Sequence, residues 1–165
     1  MIETHVTPAQ IASLQEEHQA LRRAGEDLFG ALENHSPLGA LLGGRSPSRL
    51  HARLESFRAE LQAHFRHEEG WLFAPVKARL QAGSQEHQLL HEFFHSERDH
   101  DHMAHRVLSE LTLEMLSLLG DRAPGAQARL LVITQQTCRL LAHHMAGEDE
   151  HIYPMAEEVL GLHLR

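Results

Sequence analysis

The chain has 165 residues, enough for one domain with its own core, and a formal charge of −8 with His neutral. That acidic balance argues against nucleic acid or an anionic membrane as partner, since phosphate binding needs a basic face. A single Cys, Cys138, excludes an internal disulfide and the usual Cys-based zinc sites.

Leu, Ala, Glu, Gln and Arg abound while Val, Ile and Thr are sparse, so the composition favours helix over sheet. The start, "MIETHVTPAQ", has no basic-then-apolar signal pattern, and no apolar run approaches the ~18–20 residues of a membrane span. The expectation is a cytoplasmic protein with no membrane partner. The outlier is His, at 16 residues.

Punctuation divides the chain into four long helices. Thr7-Pro8-Ala9-Gln10 reads as an N-cap, a first-turn Pro and a capping-box Gln, opening a helix over about 8–34. Ser46-Pro47 opens a second, over 47–82, after the turn-rich stretch "SPLGALLGGR". Within that stretch "LGALLGG" is apolar enough to cover one bundle end or to mark a homodimer contact. Gly83-Ser84 stops the second helix and caps a third, over 85–119. The break at 120–125 precedes a fourth, over 125–160. Pro75 and Pro154 are expected to kink or end the second and fourth helices. Short connections between long helices favour antiparallel neighbours, so the expected fold is all-α, an up-and-down antiparallel four-helix bundle formed by one domain.

The apolar stripes locate the chemistry. The first helix gives Ile11, Leu14, His18, Leu21, Gly25, Leu28 and Leu32. The second gives Leu50, Leu54, Phe57, Leu61, His64, Glu68 and Leu72. The third gives Leu89, Phe93, His100, Met103, Val107, Leu111 and Met115. The fourth gives Leu130, Thr134, Thr137, Leu141, His144, Glu148, Ile152, Met155 and Val159. Each stripe is interrupted by one His, and the second and fourth carry a Glu one turn later, on the same face. At ~1.5 Å rise per residue, antiparallel packing brings all six groups to one level. The His18–His64 interval nearly equals the His100–His144 interval, as in a duplicated helix pair of about 8–82 and 85–160.

Any one of these His residues is more often a hydrogen-bonded core residue than a ligand. The joint pattern reads differently. Two carboxylates buried at one level without a neighbouring Lys or Arg would each cost several kcal/mol, and metal cations would neutralise them. Four imidazoles and two carboxylates suit iron, manganese or zinc, as two ions bridged by the Glu pair. His18, His64, His100 and His144 are then terminal ligands, with Glu68 and Glu148 bridging.

The segments "EEHQAL", "HFRHEEGWLF", "ERDHDHMAHRVLSELT" and "HHMAGEDEHIYP" resemble the hemerythrin-like, His-His-Glu cation-binding family over nearly the whole chain. The resemblance implies an oxygen-bridged iron pair, in preference to manganese or zinc, and a protein that binds or senses a small diatomic, O2 or NO, or handles iron, without turnover being implied. Oxygen carriers of the family use five His, with a pair one turn apart in the third helix. Here Ser96 and Ala104 flank His100 at that spacing, and the pair His91 and His95 reads as surface-facing. Four His and two Glu resemble instead the branch linked to repair of iron centres after nitrosative stress; that branch often carries an N-terminal Cys-bearing segment, and no Cys precedes Cys138 here.

Further groups have plainer readings beside functional ones. His143 would exchange with His144 on a register error, and His151, one heptad on, is a candidate further ligand. Glu17 and Glu97 are candidates to orient ligand imidazoles, with surface charge as the plainer role. Tyr153 either packs or donates to a bound oxygen species. His67 and Glu69 read as solvated. A ferritin-like reading needs Glu-x-x-His motifs, which occur at Glu97/His100 and Glu148/His151, but none falls on the second helix. A regulatory bundle with a structural metal such as zinc is the remaining alternative.

Overall fold

The computed structural model describes residues 6–34, 47–94, 103–121 and 123–162. Ser46, "LGALLGG", His95, Glu97 and His100 lie outside the described residues.

Helix α1 spans Pro8–Glu33 and begins as its sequence predicts: Thr7 accepts from the Gln10 amide, while the Gln10 side chain accepts from the Thr7 amide. Its buried face is Ile11, Leu14, His18, Leu21, Gly25, Leu28 and Leu32, the expected stripe residue for residue. Helix α2 runs Pro47–His67 and passes into a π-helical segment at Glu68–Phe73, followed by the short α3 at Ala74–Arg79. Helix α4 covers Gln85–Phe94, with the Ser84 hydroxyl accepting from the His87 amide at its start. Helix α5 covers Met103–Gly120, and α6 covers Ala126–Gly147, entered through Gly125 at φ 87°. A second π-helical segment, Glu148–Ile152, leads into α7 at Tyr153–Leu160.

The two π segments explain what Pro75 and Pro154 do. Each Pro sits at the second position of the short helix that follows a π segment. It has no N–H to donate to the carbonyl four residues back, and the chain meets that loss by widening its turns just upstream rather than by breaking.

Helices α1, α2, α5 and α6 form the bundle, and each packs on two others: α1 on α2, α2 on α5, α5 on α6, and α6 on α1. Two apolar clusters divide the interior. One holds Leu21, Leu28, Leu54, Phe57, Leu61, Leu108, Met115 and Leu141. The other, where α3 and α7 pack together, holds Ile11, Leu14, Leu72, Phe73, Val76, Ile152 and Tyr153. Between them in sequence on α1, α2 and α6 come His18, His64 with Glu68, and His144 with Glu148. The polar layer is therefore closed above and below by hydrocarbon.

In α5 the buried face differs from the expected stripe. His105, Leu108, Thr112 and Met115 face inward, whereas Met103 is 42% exposed and Val107 and Leu111 are half-buried. Leu89 in α4 is likewise 37% exposed, and Leu90 is the buried residue. Thr112 is what obscured the phase. Its hydroxyl donates to the Ser109 carbonyl at 2.8 Å, so a polar side chain sits in the core fully satisfied. None of the described helices is long and apolar enough to cross a membrane.

Candidate metal centre

His18, His64, Glu68, His105, His144 and Glu148 are all at most 5% exposed. Their donor atoms form two groups of four, His18/His64/Glu68/Glu148 and Glu68/His105/His144/Glu148, and within each group the atoms lie within 4.8 Å of one another. Both carboxylates belong to both groups. Glu68 lies 3.4 Å from His64 Nε2 and 3.1 Å from His105 Nε2; Glu148 lies 3.4 Å from His18 Nε2 and 3.1 Å from His144 Nε2. His18 Nε2 and His64 Nε2 are 3.1 Å apart.

Five of the six expected ligands thus come together. In the third helix of the bundle the imidazole that joins them is His105, five residues after the expected His100, which lies outside the described residues. His105 was missed because Met103, Val107 and Leu111 offered a competing apolar stripe. The spacing His105–Leu108–Thr112–Met115 was the available signal, but it needed a buried Thr.

The outer nitrogens of three imidazoles are anchored. His64 Nδ1 lies 2.9 Å from Glu17, His18 Nδ1 lies 2.9 Å from Asp149, and His105 Nδ1 lies 2.6 Å from Glu69. In each pair the imidazole N–H donates to the carboxylate, which turns the inner Nε2 toward Glu68 and Glu148. Glu17 thus pairs with His64, while Glu97 lies outside the described residues. Glu69 has a side chain 42% exposed and at the same time holds His105. Asp149 was not foreseen. A signal existed, because Glu69 and Asp149 each directly follow a central Glu and each holds the imidazole of another helix. His67 is 46% exposed and shares Glu17, and Arg22 backs Asp149 at 3.2 Å.

His151 and His143 are both exposed and stand outside this assembly. The reason for His151 is the π segment. An i→i+5 turn rotates less per residue than an α turn, so the heptad from His144 no longer returns to the same face. Its exposure also removes the Glu-x-x-His motif at Glu148/His151 from the interior. The exposed side chain of His143 fits its 100° offset from His144.

Tyr153 is fully buried. Its hydroxyl donates to Glu68 and lies 2.9 Å from His18 Nε2. Burial, with Glu68 and Glu148 close by, pushes its pKa far above the ordinary phenol value.

The electrostatics show what the six groups require. Burial lowers the pKa of His18, but the Glu148 and Glu68 carboxylates outweigh it and raise it to about 10. His105 is raised for the same reason, by Glu68 and Glu69 against the opposing effect of burial. Glu68 is held well below the usual carboxylate range: burial would raise it, but His105 and His18 as donors and His64 as a charge prevail. The raised pKa of His18 and His105 and the lowered pKa of Glu68 share one cause, the attraction between imidazolium and carboxylate in a buried layer. A metal cation would neutralise the carboxylates from the inner side, through donor atoms already converged. Two His and two shared carboxylates per group fit a pair of first-row ions.

The model of the family described as Hemerythrin HHE cation binding domain matches residues 9–156. The chain belongs to that family. No curated protein and no solved structure matched the sequence. The hemerythrin match spans every described residue that the geometry brings to the centre, from His18 to Tyr153, and the family binds metal cations.

Proposed function

We propose that this hemerythrin domain holds two iron ions and binds or senses a small diatomic, O2 or NO, or handles iron through the same centre. The observation that carries the reading is the sharing of Glu68 and Glu148 by both donor groups. His18 and His64 would hold one ion, His105 and His144 the other, and the two carboxylates would bridge.

When bound, an iron pair supplies reversible electron exchange with a diatomic ligand. The chain's residues supply the rest. Glu17, Asp149 and Glu69 fix the tautomer of three imidazoles and raise their basicity. The apolar clusters keep bulk water from the layer, so charges within it interact strongly. Tyr153 stays a neutral phenol, holds Glu68 by its hydroxyl, and keeps one proton beside His18.

Coordination number supports iron over structural zinc for a centre that takes a ligand. Four protein donors per group complete a tetrahedral zinc site and close it. Six-coordinate iron on the same donors keeps positions for a small ligand. The test is elemental analysis of protein purified without a tag, followed by absorption spectra with and without azide or NO. Two irons per chain and a ligand-dependent spectrum support the reading; zinc alone, or iron with no response to either ligand, overturns it.

A further inference from the structure

Behind His105, on the side away from the two carboxylates, the α2–α5 groove forms a solvent-open pocket of about 420 Å³ lined by Gln62, Phe65, Arg66, Glu69, His105, Arg106 and Ser109. Its size falls in the ordinary range for small-molecule sites. The charge at this place is unusual for the chain. The protein as a whole has 15 basic against 23 acidic residues, yet two guanidiniums line one groove. Among the described residues neither has a carboxylate within ion-pair distance. The one acid in the lining, Glu69, is occupied by His105 Nδ1 at 2.6 Å. Phe65 in the lining is itself buried, 5% exposed, with its ring stacked on His105 at a centroid distance of 3.8 Å.

We infer that this groove is a binding site for a small organic oxyanion, a carboxylate or phosphate, which pairs with the exposed side chains of Arg66 and Arg106. Guanidinium forks suit both oxyanions, because two parallel N–H groups match two oxygens. Gln62 and Ser109 add donors in the same lining. The proposal is independent of which metal, if any, the centre holds.

The test is calorimetric titration of the protein as purified with benzoate and with phenyl phosphate, with benzyl alcohol as the uncharged analogue. The variants R66Q and R106Q are compared with R53Q, an exposed Arg elsewhere on α2, and circular dichroism checks that each is folded. Saturable one-to-one binding of either anion, weakened at least tenfold in R66Q and in R106Q and unchanged in R53Q, is the expected result. Benzoate alone assigns the carboxylate class and phenyl phosphate alone the phosphate class. No saturable binding of either anion, equal binding of benzyl alcohol, or binding that survives both Arg substitutions overturns the proposal. The last outcome would mean that the anion binds elsewhere, for example on the metal itself.

Discussion

His18 Nε2 lies 3.1 Å from His64 Nε2, while their outer nitrogens are held by Asp149 and Glu17. Two imidazoles that present their inner nitrogens to each other at this distance need a cation between or beside them. Here that cation is either a proton, as the raised pKa of His18 indicates, or a metal.

The sharing of Glu68 and Glu148 gives the first expectation. Glu68→Ala or Glu148→Ala removes a donor from both groups at once, so metal content should fall below two ions per chain. Elemental analysis of the purified variants measures this. Retention of two ions by either variant would rule out bridging.

His105 and His100 give opposite expectations. His105→Ala removes a buried donor and should cost about one ion per chain. His100→Ala should leave the content at two. The same measurement decides between them, and the reverse pattern would restore the ligand first expected from the helix phase.

Much of the fold is legible in the chain because its caps and stripes agree with each other. Thr7-Pro8-Gln10, Ser84 and Gly125 mark helix ends by their own chemistry, and the α1 stripe needs no tertiary knowledge. The α5 phase was not legible for a physical reason. "MAHRVLSELTLEM" has apolar side chains on two adjacent faces, and only the inward packing of Thr112, satisfied by its own helix, selects one. The exclusion of His151 from the centre was hidden in the same way. Pro154 announced a disturbance, but a missing N–H is met by breaking, kinking or widening, and only the packed helix shows that it widens.

The carboxylates behind the imidazoles should matter for metal affinity without being ligands. Glu17→Gln, Glu69→Gln and Asp149→Asn keep shape but remove the charge that fixes the ring and strengthens its donation. Each should weaken metal binding by about 10–100-fold, the usual effect of such partners. Competition against a chelator of known affinity reads this directly. Affinity unchanged in all three would mean that the rings are held by packing alone.

Proton release should accompany metal uptake. With its pKa at about 10, His18 is protonated at neutral pH in the metal-free protein, and a ligating imidazole must be neutral. Calorimetry in two buffers of different ionisation enthalpy should therefore show protons expelled at pH 7, with affinity rising as pH rises. Stability of the metal-free protein follows the same groups. The raised pKa of His18 contributes stability fully below its ordinary value of 6.5, and that contribution is lost as pH climbs through about 10. The lowered pKa of Glu68 contributes stability above 4.5, and that contribution is lost on acidification. The melting temperature of chelator-stripped protein should accordingly peak between these limits and fall toward pH 10. A flat profile to pH 10 would contradict the imidazolium–carboxylate pairing.

Tyr153 separates the role of the hydroxyl from that of the ring. Its ring is buried in the cluster with Ile152, Leu72 and Phe73, and its hydroxyl donates to Glu68. Tyr153→Phe preserves the packing and removes only the donor. A hydrogen bond to a charged group is worth roughly 1.5–3 kcal/mol, and denaturant unfolding of the metal-free variant should show a loss of that order. The ligand set is untouched, so two ions should still bind. If stability is unchanged, the hydroxyl is not what holds Glu68. If metal content also falls, Tyr153 positions the bridge itself rather than steadying it in the metal-free protein.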